Sequence, residues 1–195
     1  MRTALFGGTF DPVHIGHLMM ADEVLHRLSY ERIRFVPAHV APHKAQEPCA
    51  GPDDRLAMLR LATAEREEFV VDPWEIEHGE VSYTIRTLRH LLASGDITER
   101  PGLIIGEDLV DGFDRWREAD EIERLADLVL VRRPGAGAPR FGRRHQLVDN
   151  VPIPISATGI RERVRKGLPY RYLVTAEVYG YIRHRRLYQP ASADR

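Results

Sequence analysis

Several things are scarce in this chain, and each scarcity excludes a class. One cysteine, Cys49, stands in 195 residues, so no internal disulfide framework is available and no Cys/His cluster has zinc-site spacing. No apolar run approaches the roughly 18 residues of a membrane span, and the first residues lack an apolar signal-peptide core. A cytoplasmic protein with no membrane partner is therefore expected. Charge of one sign is not in excess either: 28 basic against 29 acidic side chains leave a formal charge of -1, which speaks against an overall nucleic-acid binder. Lysine is nearly absent, with Lys44 and Lys166 alone beside many arginines.

What is present suits one globular unit. At 43% hydrophobic the chain can bury one sizeable core, so residues 1–190 are expected to form a single domain, with 191–195 a disordered tail. Basic residues crowd the second half, from Arg132, Arg133, Arg143 and Arg144 through Arg161, Arg163, Arg165 and Lys166 to Arg183, Arg185 and Arg186. They form either a solvated Arg-rich surface or, in part, a basic rim over an anionic substrate.

The chain opens on its most informative stretch. Residues 2–6 form a short apolar run that reads as a strand, Gly7 and Gly8 break it, and a periodic helix begins near Gly16. Glycines let the backbone pass close to a bulky anion, and the helix start adds unpaired N–H groups and the positive end of its dipole. His14 and His17 stand at that helix start, three residues apart. The arrangement is a place to hold phosphates, with imidazoles where charge develops. It is neither the dinucleotide fingerprint nor the P-loop.

The rest of the chain alternates strand and helix. A helix to Leu28 is followed by a strand over 32–37, a βαβ unit that implies parallel pairing. Strands are also expected at 69–72, 102–106 and 126–131, and helices at 52–62 and from Ser82 or Thr84 onward. Residues 146–155 suggest a short edge pairing and a last strand over 151–155, whose prolines deny it a central place. In an open parallel sheet ligands gather at the carboxyl ends of strands. The Gly7–Gly8 loop, the loop with His39, His43 and Lys44, and Gly106-Glu107-Asp108 all fall at such ends. Finally, Ile155-Ser156-Ala157-Thr158-Gly159-Ile160-Arg161 opens a helix with two hydroxyls and an arginine in its first turn. Capping explains the hydroxyls; a polyphosphate clamp explains the whole group.

Gly-Gly-Thr-Phe-Asp-Pro-Val-His-Ile-Gly-His over 7–17 closely resembles the signature of the nucleotidyltransferase superfamily, and His14-Ile15-Gly16-His17 is its HIGH tetrapeptide in literal form. The same form, with Ser82-Tyr83-Thr84, Phe113-x-x-Trp116 and Ile155-Ser156-x-Thr158-x-Ile160-Arg161 following in order, resembles the bacterial nicotinate-nucleotide adenylyltransferases from Leu5 to Tyr188. The resemblance implies an α/β fold: a Rossmann-like open, mainly parallel sheet with helices on both faces, of the nucleotidyltransferase α/β-phosphodiesterase type. It implies transfer of an adenylyl group from ATP to nicotinate mononucleotide, with Mg²⁺ accompanying ATP and no metal ligands from the protein.

By the same resemblance His14, His17 and Arg161 are catalytic. Gly7, Gly8, Thr9, Phe10, His17, Gly106, Asp108, Ile155, Ser156, Thr158 and Arg161 bind ATP. Lys44, Ser82, Tyr83, Thr84, Trp116 and Arg133 bind the nicotinate nucleotide. Trp116 is otherwise a core residue, and Lys44 otherwise an ordinary surface lysine. Asp11 and Asp108 stand one layer back, Asp11 also as a cap of its loop. Many family members carry an acid where Arg86 stands, so no role passes to it. The C-terminal aromatics, Tyr188 among them, read as helix packing. Nicotinamide-mononucleotide or phosphopantetheine adenylyltransferase and a catalytically silent nucleotide-binding module are the alternatives. A homo-oligomer is compatible with the sequence.

Overall fold

The computed structural model describes residues 1–42, 49–132, 141–151 and 153–190. Lys44, Arg133 and the 191–195 tail lie outside the described residues. The chain runs β1 (Thr3–Gly8), α1 (Ile15–Arg27), β2 (Arg32–Pro37), α2 (Pro52–Thr63), β3 (Phe69–Val71), α3 (Trp74–His78) and α4 (Thr84–Ala93). It continues through β4 (Gly102–Gly106), a 3₁₀ segment (Glu107–Arg115), α5 (Ala119–Leu125), β5 (Asp127–Arg132), β6 (His145–Asp149), α6 (Ala157–Arg165) and α7 (Ala176–His184).

Among the described residues six strands form one sheet in the order β3-β2-β1-β4-β5-β6, every pair parallel. Parallel strands are buried on both faces, which is why β1, β4 and β5 read as unbroken apolar runs. Alternation along them still sorts side chains by face. Phe6, Ile104, Val129 and Val131 join one core with residues of α1, α2, α6 and α7. Leu5, Leu103, Ile105, Leu128 and Leu130 join the other, under α4 and α5. The expected doubly covered α/β sheet is therefore present. Among the described residues no helix is long and apolar enough to cross a membrane.

One expectation is corrected. The last strand is His145–Asp149, not 151–155. Val151 and Ile153–Ile155 run irregularly, with Ile155 N–H donating to Ile153 C=O at 2.8 Å. Prolines at 152 and 154 remove two ladder donors, so pairing stops before them. The segment serves instead to carry the chain from the sheet edge to α6.

Candidate active site

Strand order reverses between β1 and β4, where the chain has wound outward in both directions. Loops leaving the carboxyl ends of two such strands part there and leave a crevice. Here the crevice is a cleft of about 1120 Å³. Its floor is the end of β1, which runs through Gly7 and Gly8 rather than breaking at them, with Thr9 and Phe10, and the end of β4 at Gly106 with Glu107 and Asp108. The first loop turns sharply: Phe10 takes φ 49°, in the left-handed region. Its ring is buried against Phe6 and Phe35, with centroids 5.6 and 5.9 Å away. A side chain on Gly8 would meet that ring at 2.9 Å, so only glycine fits. The backbone is thereby bare toward the cleft, and the Thr9 hydroxyl is buried there without a partner.

His14 and His17 follow at the start of α1. The His14 N–H donates to His17 Nδ1 at 3.2 Å. With Nδ1 accepting, the neutral His17 ring carries its proton on Nε2. The two imidazoles stack with centroids 3.7 Å apart. A side chain at position 16 would press within 3.1 Å of the His14 ring, which explains the glycine between them. His14 is buried, its Nδ1 lacks a partner, and burial lowers its pKa from 6.5 to about 4. It is therefore a neutral hydrogen-bonding group at neutral pH.

Across the cleft, α6 begins as the sequence predicts. Ser156 caps it, its hydroxyl accepting from Gly159 N–H at 3.1 Å. Arg161 sits one turn in, with Nη2 donating to the Thr158 hydroxyl at 3.1 Å and Nη1 to the Asp11 carbonyl at 2.7 Å. The guanidinium is thus tied to the β1 loop, and it lines the cleft with Ser156 and Thr158. Capping and clamping are both served by one helix end.

The other end of the cleft is built from the start of α4 and the residues after the 3₁₀ segment. Ser82 accepts from the His39 N–H at 2.9 Å, which anchors the turn before the helix. Thr84 is the first residue of α4, so its N–H and the next lack partners within the helix. Trp116 packs beside Phe113 at 5.1 Å and lines the cleft. Arg117 also lines it, with its guanidinium 4.9 Å above the Tyr83 ring. Behind them Glu75 is buried and accepts from the Thr87 hydroxyl, and burial raises its pKa.

All described residues expected at the site line this one cleft: Gly7, Gly8, Thr9, Phe10, His14, His17, Ser82, Tyr83, Thr84, Gly106, Asp108, Trp116, Ile155, Ser156, Thr158 and Arg161. Sequence reasoning missed Glu75 and Arg117, which line the same cleft. Arg117 carried a signal, since it follows Trp116 directly. It also missed Arg55, which is buried and donates to the carbonyls of Thr9, Ala38 and His39 at 2.8, 2.6 and 3.1 Å. That arginine staples the loop after β1 to the loop after β2. Among the described residues no cluster of three or more His, Cys, Asp or Glu side chains could hold a metal ion.

Comparisons with known proteins agree with this geometry. The Cytidylyltransferase-like family model matches residues 5–163. A protein of Shouchella clausii named "Probable nicotinate-nucleotide adenylyltransferase" is 40% identical over 187 residues, 96% of each chain. One of Borrelia hermsii with the same name is 36% identical over 188 residues, 96% of this chain and 98% of that one. Among solved structures, the Plasmodium falciparum nicotinic acid mononucleotide adenylyltransferase complexed with NaAD superposes with a TM-score of 0.78 at 17% identity. It covers 96% of this chain and 97% of its own, and shows the same fold.

Proposed function

The chain belongs to the nicotinate-nucleotide adenylyltransferases of the cytidylyltransferase-like family, and from that premise we propose how its cleft does the family's work. The enzyme transfers the adenylyl group of ATP to nicotinate mononucleotide, giving nicotinate adenine dinucleotide and pyrophosphate. An oxygen of the mononucleotide phosphate attacks the α-phosphorus of ATP. The bond from that phosphorus to the bridging oxygen breaks, and its electron pair leaves with pyrophosphate. The attacking phosphate is already ionised near pH 7, its second pKa being about 6, so no general base is required. Catalysis is positioning plus stabilisation of charge on the phosphoryl oxygens.

The convergence of three donor sets on one cleft carries this reading. The bare Gly7–Gly8 backbone and Thr9 hydroxyl lie beneath the triphosphate. His17, with its proton on Nε2, donates to the oxygens of the transferring group, and neutral His14 supports it as a hydrogen-bonding partner. Ser156, Thr158 and Arg161 hold the departing pyrophosphate. Enzymes of this class use a divalent metal with ATP. We take it as Mg²⁺, which would be held mainly by phosphate oxygens and water. We also read the enzyme as cytoplasmic.

At the other end, the first N–H groups of α4 and the Arg117 guanidinium make a donor-rich pocket, with Trp116 beside it for the pyridine ring. A carboxylate only accepts hydrogen bonds, whereas an amide also presents an NH₂ donor. Donor against donor leaves buried groups unpaired, at about 1–3 kcal/mol each. Nicotinate is therefore favoured over nicotinamide. The test is pyrophosphate release from ATP offered nicotinate mononucleotide, nicotinamide mononucleotide and phosphopantetheine separately. A strong preference for the first is expected; equal use of the first two overturns the donor pocket, and activity with the third alone overturns the reading.

A further inference from the structure

The last described turn of the chain reaches back into the first loop. Tyr188, left-handed at φ 63° and buried, donates its hydroxyl to Asp11 Oδ1 at 2.8 Å. Asp11 is buried too, and two backbone N–H groups also converge on its carboxylate: Ala50 on Oδ1 at 3.1 Å and Cys49 on Oδ2 at 2.8 Å. Arg161 Nη1 binds the carbonyl of the same residue at 2.7 Å, yet stands 3.8 Å from Oδ2. An arginine so near a buried carboxylate would ordinarily close on it in a bidentate pair. Here the carboxylate is already held by three donors, and the guanidinium stays in the cleft with Thr158. Tyr188 does not line the cleft; its hydrogen bond to Asp11, which does, links it to the cleft wall.

We infer that Tyr188 is a positioning residue: by saturating the Asp11 carboxylate, its hydroxyl keeps the Arg161 guanidinium from closing on that carboxylate and leaves it turned to the polyphosphate. The inference rests on the reading of Arg161 as a ligand of the triphosphate. It assigns a role in the site to an aromatic residue whose sequence position suggests packing alone. Without the hydroxyl, Oδ1 keeps one donor in a buried place, and the Arg161 guanidinium already stands 3.8 Å from the same carboxylate. Ion pairing with Asp11 then competes with ATP for Arg161.

A double-mutant cycle separates this from a merely structural role. Tyr188→Phe keeps the buried ring and removes one oxygen. It is expected to lower kcat/KM for ATP about tenfold, the scale of one misdirected charge-assisted hydrogen bond. The KM for nicotinate mononucleotide should move much less. In an Arg161→Ala background the same substitution should change kcat/KM for ATP less than about twofold, because the group it acts through is gone. Equal losses in both backgrounds, or no loss in the parent, overturn the proposal. If Arg161→Ala is itself harmless while the parent makes the dinucleotide, the assignment of Arg161 fails and the inference falls with it. Should Tyr188→Phe unfold at the assay temperature, melting curves with and without a non-hydrolysable ATP analogue give the same answer. A smaller analogue-induced rise in Tm than in the parent, absent between the two Arg161→Ala proteins, supports it; an unchanged rise overturns it.

Discussion

His14 offers the sharpest test of the site's electrostatics. In the unfolded chain its pKa is the ordinary 6.5, whereas in the folded protein burial lowers it to about 4. Between those values the unfolded state binds the proton more readily, so folding stability falls as pH drops through 6.5 and levels off below about 4. Worked through, His14 alone should take away about 2 kcal/mol of stability on going from pH 8 to pH 5. His14→Asn removes that titration and nothing else that ionises. Urea unfolding of parent and variant at pH 8, 7, 6 and 5 isolates the effect, because every other titrating group is common to both. The parent should lose about 2 kcal/mol more than the variant over that interval. A bound ATP analogue should shrink the difference, since triphosphate oxygens beside the ring favour its charged form. Parallel pH profiles without the analogue would mean that His14 is not held neutral, and its role as an uncharged hydrogen-bonding group would be lost.

Three further outcomes follow from other parts of the cleft. His17→Ala should fold normally and lose about 10²–10³ in turnover, the usual consequence of removing one donor to developing charge; a loss of only a few-fold would remove it from the transition state. Arg117→Gln should lower the preference for nicotinate over nicotinamide mononucleotide about tenfold, with Arg117→Lys partly restoring it, and an unchanged ratio would leave the helix N–H groups as sole determinants. Glu75→Gln keeps an acceptor for Thr87 and abolishes a buried charge, so it should raise Tm at pH 8 and change it little below pH 4.5, where the acid is protonated in both states; a gain of equal size at both pH values would point to packing instead.

Much of the site was legible in the sequence because phosphate recognition is local. A bare loop, a helix start and the side chains of its first turn lie within a dozen residues, as in 7–17 and 155–161. Parallel pairing also followed from apolar runs alternating with helical periodicity, whereas the strand order was read only from the structure. What was not legible depends on distant partners. Asp11 gains its meaning from Cys49, Ala50, Arg161 and Tyr188, 38, 39, 150 and 177 residues away. Arg55 lies in a helix whose pattern marks an arginine as solvated, yet three backbone carbonyls around the loops after β1 and β2 account for its burial. The end of the sheet was misread because β-branched residues alternating with proline over 151–155 mimic strand periodicity, while the prolines withhold the N–H groups a ladder needs.

The central claim is that the mononucleotide phosphate attacks the α-phosphorus of ATP in this cleft. It is tested most directly by supplying nicotinate mononucleotide with ¹⁸O in its phosphate and weighing both products by mass spectrometry. All of the label should remain in the dinucleotide, with pyrophosphate unlabelled. Label in pyrophosphate, or release of AMP without dinucleotide, would contradict it.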